Sequence, residues 1–418
     1  MIAGLRGLGV HGYLLGFGGL MVFMSGPGQT FLLSLYGGVL RETFDLSHSA
    51  FGGLYSLATL TSGLLLIGLG RGVDRIALAP FTTLVIAGAA SGAVLLATAP
   101  VAWMLLPAFL LLRLCGQGLM THVAQTTVAR HVQQGRGTAI SLIGIGSPLS
   151  EAIMPMAVVT LMTAVGWRAS WLVLAGGLLT VALPLALWLL RARQRADRGR
   201  AVSSSAASAP AGPDSHTSRV SWTRVEVLRD RRFYRILPAL LASPILITGL
   251  FFHQAPIAQA KGWSLELISG AFTVFAACHV TALLLSGPLI DRLGARRLLG
   301  VYLLPLLLAA GVVGFWPGAM AAPVYLGLAG LCVGTFSTLM GALWPELYGT
   351  RHLGGIRALV HGATVLGTAA GPVLMGLLLD ADLGITGLSL TMATYLVVAM
   401  GLAWPVAMAN PPAPSVSR

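Results

Sequence analysis

Apolar runs of about 20 residues, each long enough to cross roughly 30 Å of hydrocarbon, recur throughout this chain. They fall near 10–34, 51–69, 79–99, 104–126, 138–163 and 169–190, then near 235–256, 268–289, 298–317, 322–345, 358–379 and 387–408. A chain of this kind cannot close around one soluble core. Backbone groups in lipid must be satisfied within the segment or in a closed barrel. The alternating pattern of barrel strands is absent, so the runs read as helices. The expected fold class is an all-α membrane protein of twelve transmembrane helices. Composition agrees. Only 9% of the 418 residues are charged, against about 25% in an average soluble domain. A disordered chain would be polar instead. The first run follows a single early arginine, Arg6, with no small-x-small cleavage site after it. It is expected to be a first span and not a removed signal peptide.

Six runs, a polar interval and six more runs divide the chain. Residues 1–190 are expected to form an N-terminal six-helix bundle, 191–234 a cytoplasmic linker loop and 235–418 a C-terminal six-helix bundle. The interval opens with Arg191, Arg193, Arg195, Arg198 and Arg200, and closes with Arg229, Asp230, Arg231 and Arg232. Its Ser, Ala and Pro middle has the composition of a flexible linker. With twelve spans, nearly all of the 26 basic residues fall on the side of the termini and the central interval. Arg41, Arg168 and Lys261 fall on the other side, and Arg113 lies inside a span. The positive-inside rule then puts both termini and the interval in the cytoplasm of a bacterial-type inner (plasma) membrane. The net charge of +13 reads as a topology signal facing anionic lipid. A nucleic-acid role is not expected, because aromatic interleaving is nearly absent from the interval. Partners are the lipid bilayer and a small molecule, and the chain is expected to act as a monomer.

Cys115, Cys278 and Cys332 sit alone in apolar runs, so neither a disulfide framework nor a metal site is expected. A Gly-x-x-x-x-Gly-Lys phosphate loop is absent, as is a shared-loop catalytic constellation. The chain is therefore expected to be neither an ATP-driven pump nor an enzyme, and to use no cofactor. A sensor would call for a long cytoplasmic signalling domain, which the sequence lacks.

The two halves share a landmark. After the second run the chain reads Gly70-Arg71-Gly72-Val73-Asp74-Arg75, and after the eighth Gly287-Pro288-Leu289-Ile290-Asp291-Arg292-Leu293-Gly294-Ala295-Arg296-Arg297. The fourth run carries Arg113-Leu114-Cys115-Gly116-Gln117-Gly118, and Gly166-Trp167-Arg168 opens the sixth. Together these resemble the major facilitator superfamily over about residues 10–408. The resemblance implies two six-helix bundles related by pseudo-two-fold symmetry around a cavity that opens to either side in turn. It also implies that Asp74, Arg75, Asp291 and Arg292 latch one conformation. Capping and topology are the plainer roles for those residues. Trp344-Pro345-Glu346-Leu347-Tyr348-Gly349 is similar to turns on the monocarboxylate and organic-anion side of the family. The antiporter branch shows Gly-Pro-x-x-Gly in the fifth run; the eleventh run of this chain carries Gly371 and Pro372 with Gly376, one residue beyond that spacing. In the fifth run of this chain Ser147 and Glu151 replace the motif's glycines.

An ionisable side chain at mid-membrane depth is functional by default. Of the Asp, Glu, Lys and Arg residues, Arg113 and Glu151 are the two that fall well inside runs. Arg113, Gln117 and Thr121, spaced i, i+4 and i+8, line one helix face. They suit a carboxylate, which a guanidinium recognises with two parallel hydrogen bonds. Glu151 is expected to carry a proton or to pair with Arg113. Gln29, within Ser25-Gly26-Pro27-Gly28-Gln29-Thr30, and His253 with Gln254 are further substrate-binding candidates. The Gly-Pro-Gly weakens the helix and frees backbone groups for a ligand. A neutral histidine is a suitable proton relay. His122, His279 and His361 are read first as satisfied buried histidines. The expected function is secondary active transport of a small organic solute, a carboxylate-type anion, by proton-coupled alternating access. The alternative is efflux of a drug or lipophile by proton antiport.

Overall fold

The computed structural model describes residues 11–70, 72–132, 136–203, 222–349 and 352–409, and no strand occurs among them. Eleven helices among the described residues are long and apolar enough to cross a membrane. Ahead of them stands α1, Gly12–Met24. They are α2 His48–Leu69, α3 Leu78–Thr98, α4 Ala102–His131, α5 Thr138–Val165 and α6 Trp167–Ala196, followed by α7 Arg231–Phe252, α8 Leu265–Leu293, α9 Ala295–Phe315, α10 Ala321–Tyr348, α11 Gly355–Asp380 and α12 Gly384–Met408. The chain divides into two compact units. One comprises residues 1–218 with Phe251–Pro256, and the other Arg219–Leu250 with Ile257–Arg418.

The first expected span is not one helix. The helix α1 stops at Ser25, a 3₁₀ turn covers Gly26–Gly28, and Gln29 is extended at φ −83°, ψ 151°. Short helical pieces then run through Thr30–Leu33, Ser34–Tyr36 and Gly37–Phe44. Pro27 has no N–H to give to an α ladder, and its flanking glycines offer little resistance to bending. Irregular backbone at membrane depth survives only where protein covers it. Gly26, Pro27 and Gly28 are accordingly all buried.

Two elements grip this turn. A Cβ on Gly28 would collide with the Leu112 carbonyl and come within 3.0 Å of Gly116 Cα on α4. A Cβ on Gly26 would collide with Ser150 Oγ and Met154 Sδ of α5. Opposite Gly28, α4 widens into a π-helical stretch over Leu112–Met120. Such stretches are rare and cluster at functional sites.

The second unit is more regular. Its described helices are all α, among them α8 of 29 residues and α10, Ala321–Tyr348, of 28. These two meet at Gly330 and Gly334, where a Cβ would strike the Phe275 and His279 carbonyls. Small residues four apart let two backbones approach closely in lipid. At Gly294, φ is +85°. That left-handed conformation favours glycine and turns the chain from α8 into α9.

The helix at the end of the first six runs continues to Ser203. Arg191, Arg193 and Arg195 therefore ride on a helix, where the sequence suggested a loop. Alanine, leucine and arginine are good helix formers, and long arginine stems reach from an apolar face to the interface. Before α7 stands a short helix, Arg224–Arg229, whose Thr223 and Glu226 form a capping box. The linker middle, residues 204–221, lies outside the described residues.

Candidate functional site

Arg113 projects from the π-helical stretch of α4 and is 4% exposed. Its Nη1 donates to the Gly28 carbonyl at 3.3 Å and to Thr30 Oγ1 at 3.5 Å. The broken first segment explains the first of these bonds. With Gln29 extended, Leu32 and Leu33 donate to Gln29, which leaves the Gly28 carbonyl for Arg113. The guanidinium carbon lies 5.1 Å from the centre of the Tyr55 ring. Tyr55, on α2, hydrogen-bonds Thr30 at 2.6 Å through its hydroxyl. Arg113 Nε is buried without a hydrogen-bond partner. Carbonyl, hydroxyl and ring each carry only partial charge. An anion bound here would meet a guanidinium with donor capacity to spare.

The neighbouring candidates sort around this core. Gln29 donates from Nε2 to Ser25 Oγ at 3.3 Å, and Ser25 in turn donates to the Val22 carbonyl. Gln117 and Thr121 are half-buried further along α4. Glu151 is 8% exposed on α5 and accepts a 3.1 Å bond from Ser147, one turn earlier on the same helix. The same Gly26–Gly28 turn thus touches the helix of Arg113 through Gly28 and the helix of Glu151 through Gly26.

His253 and Gln254, each 1% exposed, lie on the segment Phe251–Pro256 that belongs to the first unit. The rings of His253 and His48 are 5.7 Å apart. Next to His253, Phe252 stacks on Phe51 at 4.7 Å and lies 4.4 Å from Tyr55. Phe109 meets both Phe51 and Tyr55 edge-on. Tyr55 is therefore shared between the guanidinium and an aromatic cluster. Sequence reasoning missed it, because a tyrosine in an apolar run carries no distinguishing signal. Its spacing four residues after Phe51 could have suggested one aromatic face.

The other histidines have structural settings. His122 hydrogen-bonds the Gly70 carbonyl at 3.1 Å. His279 is buried against Phe275 on its own helix. His361, expected to be buried, is exposed.

The two repeated loops are held differently, each within its own unit. In the first, Arg130 donates to the Val73 carbonyl at 3.2 Å. Arg75 is exposed, and the Asp74 side chain lies outside the described residues. In the second, Asp291 and Arg292 are exposed. There Glu346 of α10 accepts from the Ala295 backbone at 2.7 Å and from Arg296 Nε at 2.9 Å. No group of three or more His, Cys, Asp or Glu stands ready for a metal ion among the described residues. The second unit also holds an apolar crevice of about 390 Å³ among Ile245, Leu246, Gly371, Met375, Met392 and Tyr395.

Comparison with known proteins follows the fold. The family model described as Major Facilitator Superfamily matches residues 18–264 and 246–418. Two solved structures of a bacterial homologue of the human lysosomal transporter Spinster are similar in fold. One is inward-facing and unoccupied, with a TM-score of 0.70, and the other inward-facing and occupied, with 0.69. In each case identity is 14%, over 95% of this chain and 97% of the other. None of the curated proteins compared with the chain matches it.

Proposed function

The chain belongs to the major facilitator superfamily and is a membrane transporter, not an enzyme; from that premise we propose that it carries a small carboxylate-type anion by proton-coupled alternating access. The observation that carries this reading is Arg113. It is a buried guanidinium held by a carbonyl, a hydroxyl and a ring, with Nε unpartnered. A carboxylate would replace the weak Gly28 and Thr30 bonds with charge-assisted ones, each worth about 1.5–3 kcal/mol. Gln29, Gln117, Thr121, His253 and Gln254 would surround the remainder of the solute. Glu151 would take up the proton, and the Gly26–Gly28 turn would relay its state to Arg113. In this reading the interrupted α1 and the pieces after it supply the twelfth crossing, completing two six-helix bundles. Both termini lie in the cytoplasm of an inner membrane, and Asp74, Arg75, Asp291 and Arg292 serve as a latch in a monomer.

Uptake into proteoliposomes under an imposed pH gradient tests the reading. Arg113→Gln should weaken carboxylate transport at least tenfold. Glu151→Gln should retain exchange and lose pH-driven accumulation. Wild-type transport by Arg113→Gln would remove the anion site, and intact accumulation by Glu151→Gln would remove the proton role. The apolar crevice near Met375 and Met392 favours a second reading, efflux of a lipophile. Under that reading lipophilic cations, not carboxylates, would be the transported solutes.

A further inference from the structure

The aromatic cluster beside Arg113 has a feature that a plain core does not require. Phe51 and Tyr55 sit four residues apart on α2, and Phe109 packs edge-on to both. The ring of Phe252 is close to parallel with Phe51, at 24°, and lies 38° from Tyr55. All four side chains are less than 2% exposed. Three residues of the first 110 thus build a seat one benzene ring wide, and Phe252 fills it. The wall of the seat nearest the cation is the Tyr55 ring itself, 5.1 Å from the guanidinium carbon.

Phe252 is also the last residue of α7, immediately before the turn at His253. Its six-residue segment belongs to the first unit, while Leu250 and Ile257 on either side belong to the second. Phe51, Tyr55, Phe109 and Arg113 stand on α2 and α4, so the walls of the seat come from elements other than the one that bears Phe252.

Resting on the anion reading above, we propose that the substrates are aryl carboxylates, and that Phe252 occupies the aryl subsite when no substrate is bound. The carboxylate engages Arg113 while the ring replaces that of Phe252 against Phe51 and Tyr55. Offset-stacked and edge-to-face ring pairs are favourable beyond the area that they bury. Two or three such contacts favour a flat aromatic ring over a saturated ring of similar size by about tenfold. Because Phe252 competes for the seat, it sets an internal threshold that weak, non-aromatic acids do not overcome. Tyr55 joins the two parts of the site, since one ring faces both the guanidinium and the seat.

The test is a binding titration on the purified full-length protein in lipid nanodiscs, read as thermal stabilisation. The probes are benzoate, phenylacetate, cyclohexanecarboxylate and hexanoate at constant ionic strength. Benzoate or phenylacetate should bind about tenfold more tightly than cyclohexanecarboxylate. Phe252→Ala should tighten the aryl probes several-fold and leave hexanoate within twofold. Phe252→Leu, which keeps the bulk and the fold but not the ring stacking, should do the same to a smaller degree. Arg113→Gln should abolish stabilisation by every probe. Equal affinity for aryl and saturated acids, all dependent on Arg113, would overturn the aryl subsite and leave the anion site standing. Weaker aryl binding in both Phe252 variants would overturn the competition. Carboxylate binding that survives Arg113→Gln would remove the anion site and this proposal with it.

Discussion

The two units solve the problem of burying helices in lipid by the same close-packing device, yet they place their charges differently. In the first, the glycine crossing at Gly28 and Gly116 interrupts one chain, widens the other into a π-helical stretch and seats Arg113 between them. Arg113 and Glu151 are the charged side chains buried among the described residues, and both belong to this unit. In the second, the crossing at Gly330 and Gly334 leaves both helices continuous. There the ionic contacts gather at helix ends, in Glu346 with Arg296 and in Asp230 with Arg232. A glycine crossing by itself is packing. At Gly28 the backbone is also broken, and a carbonyl is left over for a cation.

Gly28→Ala should have the largest effect. Its methyl group meets backbone, which cannot step aside as a side-chain tip can. Destabilisation of about 3 kcal/mol or more is expected. Thermal unfolding should show it together with loss of carboxylate binding in whatever fraction folds. Binding at wild-type affinity would mean that the turn and Arg113 are independent.

Gly334→Ala probes the other crossing. It should cost about 1–3 kcal/mol, since two continuous helices can slide apart along their length. Carboxylate affinity should stay within twofold of wild type. A large affinity loss would erase the contrast between a packing crossing and a site crossing.

Glu346→Gln tests the charged rim. Glu346 is partly exposed, so removing its charge should cost about 0.5–1 kcal/mol in the thermal midpoint. The Ala295 bond persists, because an amide oxygen still accepts. A salt titration should narrow the gap between variant and wild type.

The smallest effect belongs to the capping box before α7. The backbone N–H of Thr223, with its hydroxyl, holds the Glu226 carboxyl below its usual range. The support that Glu226 gives the short helix is therefore complete above the ordinary carboxylate range. It is lost as pH falls through the lowered value. Protection of the Thr223 amide, taken relative to the intrinsic exchange rate at the same pH, should fall over that acid window and nowhere above it. A Glu226→Gln variant should show no such step.

Much of the candidate site is legible in the sequence. Arg113 and Glu151 stood out because ionisable groups in apolar runs are costly, and Gly26-Pro27-Gly28 because proline and glycine interrupt a ladder in any setting. Tyr55 and Phe252 were not legible, since aromatic residues in apolar runs are ordinary and only their convergence distinguishes them. Nor did the second loop show which of its charges would be held. Asp291 and Arg292 carry the resemblance to the family, while Arg296 and Ala295 meet Glu346.

The sequence by itself determined that the chain spans a membrane as helices, because lipid offers backbone groups no partner and run length sets the span. It also determined where the buried charges lie along the chain. Only the tertiary structure decided that the Gly28 carbonyl, Thr30 and Tyr55 meet Arg113, and that Phe252 joins Phe51 and Tyr55. Those contacts join residues from 58 to 201 positions apart, and helix periodicity carries no information over such separations.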